Sequence, residues 1–260
     1  VNQEEQEELL HLAVSLARDA GALLLERFAG GREQVLASKS SPTDLVSEAD
    51  LASERLIRER LMQARPIDGF LGEEGGGHDG SSGLSWVVDP LDGTVNFLFG
   101  IPQWCVSVAV ADELGSLAGA IFDPCRNELF SATRNRGPLL NGAPITPSGR
   151  EDLATAMLAT GLAYDADVRS AQADVLARVI PRVRDIRRFG SAALDLAWTA
   201  AGRYDAYFER TVKPWDIAAG TLICEQAGLT VLELPEHERL PLGVLAAVPA
   251  LAAPLLELVG

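Results

Sequence analysis

Cysteine is scarce in this chain: Cys105, Cys125 and Cys224 are the three among 260 residues, far apart, with no CxxC or Cys/His ligand spacing. That excludes a disulfide framework and a zinc module, and points to free thiols in a reducing cytoplasm. Basic residues are also few, 22 against 37 acidic ones, for a net charge of −15. Without clustered Lys and Arg there is nothing to neutralise a phosphate backbone, so nucleic acid is not expected as a direct partner. No apolar run approaches the roughly 20 residues that cross a bilayer, so no membrane contact is expected. The first residues, VNQEEQEELL, are acidic and carry no apolar core, unlike a signal peptide. Internal repeats and low-complexity segments are lacking too. What remains is a 47% hydrophobic chain long enough for one large domain or two modest ones. The negative charge by default serves solubility. The alternative is that some carboxylates converge on cations, and their positions decide.

Leu9, Leu12, Leu16, Ala20, Leu23, Leu24 and Phe28 recur at helical spacing, and Gly30-Gly31 closes that run. Ser47-x-x-Asp50 reads as a capping box opening a second helix to about Leu61. Short apolar runs follow, bounded by Gly, Pro and Asp, and read as strands: Phe70-Leu71, Trp86 to Val88, Val106 to Ala111, Gly119 to Phe122, Glu128 to Ala132. The second half alternates. Helices are expected at 192–201, 217–227 and 250–258, and strands at 204–208, 229–232 and 244–248, an α/β unit. The Gly- and Pro-rich stretch from Gly137 to Pro147 is the best boundary, giving an N-terminal domain over residues 1–145 and a C-terminal domain over residues 146–260.

Trp86-Val87-Val88-Asp89-Pro90-Leu91-Asp92-Gly93-Thr94 is the most informative segment. Pro90 cannot donate a ladder hydrogen bond, so the strand is expected to stop there. Asp89 and Asp92 would then emerge together, and two such anions repel unless a cation lies between them. An all-oxygen set suits Mg²⁺. Gly93 allows close backbone approach, and a short helix from Thr94 to Phe97 would turn its first amides towards a phosphate. A plain Pro-Asp-Gly turn is the alternative. Glu73-Glu74 could be a solvated acidic loop, Asp216 after Trp215 an N-cap, Asp44 a cap or turn, and Lys39 an exposed loop cation.

In order and spacing, four segments together resemble the inositol monophosphatase family: Lys39-Ser-Ser-Pro-Thr-Asp44-Leu-Val-Ser-Glu-Ala-Asp50, Gly72-Glu73-Glu74, Trp86 to Phe97, and Trp215-Asp216-Ile-Ala-Ala-Gly220. Asp123 to Phe130 and Leu140-Asn141-Gly142 also look like family segments. The resemblance implies a layered αβαβα sandwich, a homodimer, lithium sensitivity, and two or three Mg²⁺ per site. Glu73, Asp89 and the Leu91 carbonyl would bind the first ion, and Asp89, Asp92 and Asp216 the second. A third would sit near Glu73, helped through water by Asp44. Thr94, hydrogen-bonded to Asp44, would orient and deprotonate the attacking water, with Lys39 nearby. The Gly93 and Thr94 amides would hold phosphate oxygens. Gly190, Ser191 and Ala192 match a loop that contacts the substrate alcohol, and Glu209 a carboxylate that binds its hydroxyls.

The implied activity is hydrolysis of a small polyol phosphate, inositol monophosphate first. On the same scaffold the rivals are histidinol phosphate, fructose 1,6-bisphosphate, NADP and 3′-phosphoadenosine 5′-phosphate. A regulatory binding protein is the rival of another class. The chain departs from the family pattern at Gly228-Leu229 and in 232–242, where an Asp-Gly turn is missing. Lys213 would touch phosphate or sit on the rim. Glu209 alternatively pairs with Arg210 or Lys213 at the surface.

Overall fold

The computed structural model describes residues 1–31, 35–38 and 45–260, with 35–38 and 45 described by backbone alone. Helix α1 spans Gln3–Gly30; Asn2 caps it by accepting from the Glu5 amide, and Gly31, at φ 116°, ends it. Strands β1 (Val35–Ser38) and β2 (Leu45–Ser47) form a small antiparallel pair. Helix α2 (Glu48–Ala64) opens on the expected Ser47/Asp50 capping box.

The first large sheet follows. Its strands are β3 (Gly69–Gly72), β4 (Gly76–His78) and β5 (Ser85–Asp92), then, after the short helix α3 (Thr94–Leu98), β6 (Cys105–Asp112), β7 (Gly115–Asp123), β8 (Glu128–Thr133), β9 (Arg136–Leu140) and β10 (Ala143–Pro144). Their spatial order is β10-β9-β8-β7-β6-β5-β3-β4, antiparallel except where β3 runs alongside β5. The second sheet contains β11 (Met157–Thr160), β12 (Asp185–Arg187), β13 (Ala206–Arg210), β14 (Thr230–Leu234) and β15 (Gly243–Ala247), in the order β12-β11-β13-β15-β14. Between these strands lie α4 (Ala166–Val179), α5 (Ala192–Ala200) and α6 (Pro214–Gln226); α7 (Pro249–Val259) follows.

Side-chain alternation explains the layers. On β5 and β6, Trp86, Val88, Val106, Val108 and Val110 face one way, into a core shared with Leu9, Leu16 and Leu24 of α1 and Ile57 of α2. Val87, Cys105 and Ala109 face the other way, into a second core with α5, α6 and the smaller sheet. Val175, Leu251 and Leu255 of α4 and α7 join that core. The order is helix, sheet, helix, sheet, helix: the αβαβα sandwich. Close backbone approaches fix the middle layer. A Cβ on Gly220 of α6 would run into Leu196 of α5, and one on Gly119 of β7 would press on Ala219 of α6. Among the described residues, no helix is long and apolar enough to cross a membrane.

Three expectations need correction. First, β5 does not stop at Pro90. Asp89 pairs with Ser107 and Asp92 with Cys105, three residues against two, so a bulge absorbs the proline and the strand continues. Second, the expected strand 204–208 lies at Ala206–Arg210, which places Glu209 within it. Third, α6 begins at Pro214, so Asp216 is inside its first turn and not its N-cap.

Arg210 locks the C-terminal half. Its side chain is buried, with Nη1 donating to the carbonyls of Leu234 (3.2 Å), Pro235 (2.8 Å) and Pro241 (3.1 Å), and Nη2 to that of Val259 (2.7 Å). Arg210→Met removes these charge-assisted bonds and should cost about 2–4 kcal/mol. Differential scanning fluorimetry should show a fall of roughly 5–15 °C in Tm. An unchanged Tm would mean that water replaces the guanidinium without loss.

Candidate active site

A cavity of about 390 Å³ opens between the two sheets, and its lining includes Glu73, Asp89, Leu91, Asp92, Gly93, Thr94, Gly190, Ala192, Glu209, Lys213 and Asp216. These positions come from distant parts of the chain. Glu73 lies in the turn after β3. Glu54 of α2 holds that turn by accepting from the Glu74 amide (2.7 Å), and its carboxylate fills the space that side chains at Gly72 and Gly75 would need. The β5 bulge delivers Asp89 and Asp92. Ser53 donates to the Pro90 carbonyl (2.7 Å), and the Leu91 amide donates to Asp89 (3.0 Å), which ties down the distorted backbone. Gly93 has φ 99°, and a Cβ there would strike the Gln103 carbonyl and Trp104, so only glycine fits.

Thr94 stands at the first turn of α3. Its hydroxyl is 2.8 Å from Asp50 Oδ1 and 3.1 Å from the Leu91 carbonyl. The resemblance implies Asp44 as its partner. Asp44 and Lys39 lie outside the described residues, and the described partner is Asp50, fully buried. Asp50 divides its work: Oδ2 accepts from the Ser47 amide and hydroxyl, while Oδ1 reaches Thr94. The Ser-x-x-Asp pattern explained Asp50 as a helix cap, and that explanation hid its second contact.

Asp92 points to the start of α5. Its carboxylate accepts from Ser191 Oγ (2.6 Å), the Ala193 amide (2.8 Å) and the Ala192 amide (3.2 Å). Ser191 is therefore buried against Asp92 and is not part of the cavity lining, whereas Gly190 and Ala192 are. Asp216 accepts from the Lys213 amide (2.6 Å) from within the first turn of α6 and lines the cavity as well. Glu209, also in the lining, accepts from the Tyr207 hydroxyl (2.7 Å). The Arg210 guanidinium bonds to the carbonyls of Leu234, Pro235, Pro241 and Val259 instead, which leaves no bond from it to Glu209, the alternative that the sequence offered. Leu162 to Asp165 and Arg188 also line the cavity; sequence reasoning missed them because they sit on loops without a motif.

Burial and crowding dominate the electrostatics. Asp89 is pushed well above the usual carboxylate range, first by burial and then by Glu73, Asp92 and Asp216. Asp216 is raised the same way, by burial and then by Asp92, Glu73 and Glu209, against its bond from Lys213. Burial raises Asp92 despite Ser191 and the α5 amides, and pushes Glu209 up to about 7. As placed, no three of the described His, Cys, Asp or Glu side chains form a closed metal cluster. Glu73, Asp89, Asp92 and Asp216 nevertheless offer only hard oxygens to the cavity, with Leu91 beside them. That chemistry fits a cation such as Mg²⁺, which takes one or two carboxylates and completes its shell with water and phosphate oxygen.

Comparison with known proteins agrees with this architecture. The model of the inositol monophosphatase family matches residues 5–258. The inositol-1-monophosphatase SuhB of Mycobacterium tuberculosis is 42% identical over 97% of this chain and 93% of that protein. The Nus factor SuhB of Xylella fastidiosa is 43% identical over 86% of this chain and 81% of its own. The crystal structure of the extragenic suppressor protein suhB from Bartonella henselae superposes with a TM-score of 0.88 at 35% identity, covering 97% of this chain and 98% of that one.

The raised carboxylates set a pH dependence. Unfolded carboxylates ionise near pH 4. In the fold Asp89, Asp92, Asp216 and Glu209 hold their protons to higher pH, Glu209 to about 7. The folded protein then binds more protons than the unfolded chain across that window, so stability falls as pH rises through it. In EDTA, Tm should be lower at pH 8 than at pH 5, with roughly 2–4 °C lost per kcal/mol. Mg²⁺ should restore it at pH 8. A Tm that is flat or rising over this range would refute the crowding.

Proposed function

Because this chain belongs to the inositol monophosphatase family and is a phosphoric monoester hydrolase, we propose that it cleaves the phosphate ester of a small polyol, inositol monophosphate foremost, using Mg²⁺. Members of the family are generally metal-dependent. The observation that carries the proposal is the cavity itself, which gathers Glu73, Asp89, Asp92, Asp216 and Glu209 in one lining. Glu73, Asp89 and the Leu91 carbonyl would hold one ion, and Asp89, Asp92 and Asp216 a second. Glu73 would share a third with Asp44. When bound, Mg²⁺ lowers the pKa of a water, screens the phosphate dianion and stabilises the departing alkoxide.

The chain's own residues account for the rest. Thr94 has one hydroxyl proton, committed to Asp50 or the Leu91 carbonyl, so its lone pairs are free to accept from an attacking water. Asp50 keeps that orientation and takes up proton density through the same bond. The Gly93 and Thr94 amides hold phosphate oxygens at the turn that Gly93 makes possible. Lys213 lines the cavity as an exposed cation and draws the anionic substrate inward. Glu209 accepts from the hydroxyls of the alcohol, which favours a polyol over a second phosphate at that spot.

A partner-binding role is the alternative raised by the name of the Xylella fastidiosa relative. Among the described residues Glu73, Asp89, Asp92 and Asp216 all line the cavity, which favours catalysis. We place the protein in the cytoplasm, where Cys105, Cys125 and Cys224, all free, would stay reduced. We also assign a second copy of this chain to the exposed apolar patch of Phe99 (64% exposed), Ile101 (48%) and Phe189 (40%). Asn96 holds the two loops together by donating to the Phe189 carbonyl (2.7 Å) and that of Gln103 (2.8 Å).

Phosphate release from inositol phosphate and the rival phosphates, with and without Mg²⁺, tests the proposal. Inositol phosphate should have the highest kcat/KM, Li⁺ should inhibit, and excess EDTA should reduce turnover by about 100-fold or more. Full activity in EDTA would sink the metal assignment, and a faster rival would replace inositol. For the assembly, light scattering should show a dimer that Ile101→Asp converts to monomer. A wild-type monomer would remove the second copy.

A further inference from the structure

We infer that Gly161 and Tyr207 are positioning residues for the substrate alcohol: together they seat the Glu209 carboxylate in one place. This rests on the reading of Glu209 given above. Tyr207 and Glu209 are two apart on β13 and so project from the same face of the strand. Tyr207 is fully buried, and its hydroxyl donates to Glu209 Oε2 at 2.7 Å.

Gly161 supplies the other half. β11 runs parallel to β13, with Thr160 opposite Phe208, so the next residue, Gly161, meets Glu209. A Cβ at 161 would overlap all three atoms of the Glu209 carboxyl group. Gly161 is not among the residues with positive φ, so its backbone suits any amino acid. Space alone demands glycine here, and the occupant of that space is Glu209.

The seat cannot recoil easily. Thr160 Oγ1 donates to the Phe208 carbonyl (2.7 Å), which ties β11 to β13 at this level. The buried Gln172 of α4 accepts from the Ala163 amide (2.8 Å) and donates to the Gly161 carbonyl (3.4 Å), which clamps the loop from the far side. Glu209 is a flexible side chain, and fixing it before substrate arrives removes an ordering cost from binding. Losing either support should therefore weaken capture of the polyol more than it slows the chemistry.

The test is a double-mutant cycle on the Mg²⁺-loaded enzyme with Tyr207→Phe, Glu209→Gln and the pair, measuring KM and kcat for inositol phosphate. Tyr207→Phe should raise KM about tenfold, with a smaller change in kcat, and should add less than about twofold once Glu209→Gln is present. Gly161→Ala should raise KM in the same direction, with circular dichroism and Tm checking its fold. Should Gly161→Ala fail to fold, Tyr207→Phe still decides. Losses that multiply in the double variant, or a Tyr207→Phe enzyme with wild-type KM beside an impaired Glu209→Gln, would overturn the inference alone. A Glu209→Gln enzyme with wild-type KM would overturn the reading of Glu209 and the inference with it.

Discussion

Glu73, Asp89, Asp92 and Asp216 repel one another, and folding brings them to one cavity nonetheless. Much of the local architecture can be understood as the means of tolerating this. Asp92 faces the amides that open α5, where the helix dipole favours an anion. Asp216 accepts from the Lys213 amide at the start of α6, and Asp89 from the Leu91 amide within the bulge. Each bond lowers the cost of ionisation without cancelling it, because burial still leaves all three carboxyls raised. A cation is the remaining element that would balance the set, so metal affinity and the stability of the metal-free fold would be two aspects of one arrangement.

Much of the fold was legible because the chemistry and the punctuation coincide. Asp-Pro-Leu-Asp-Gly-Thr marks a strand, its distortion and a helix start in one short stretch, and the alternation of β5 and β6 assigns their two faces. Pro90 misled in one respect: the rule that proline ends a strand overlooks a bulge, where the missing donor has no ladder partner to disappoint. Helix α4 went unseen because its buried stripe is Ala171, Gln172, Val175 and Val179, too small and too polar to give a clear period.

The site was less legible than the fold, for a different reason. Glu54 and Asp50 act from α2 on Glu73's turn and on Thr94, across 20 and 44 residues of sequence. Nothing in the local pattern announces such contacts, and the capping box gave Asp50 a sufficient role already. Ser191 shows the converse. Its loop matched a substrate-contacting segment, yet its hydroxyl is spent on Asp92, a metal-ligand candidate 99 residues away in sequence. In both cases the missing information was three-dimensional adjacency rather than residue type.

The two ends of the cavity differ in how much change they can absorb. Behind Asp216, a Cβ on Gly220 would run into Leu196 and one on Gly119 would press on Ala219, so α6 packs against its neighbours without room for an added methyl group. At the other end, Leu162 to Asp165 and Arg188 sit on connecting loops, with Tyr164 43% exposed. Loops of that kind accept substitution and insertion at little cost. Diversification on this architecture is expected to leave its record in the connections and to be nearly silent in the packed helices behind the carboxylates.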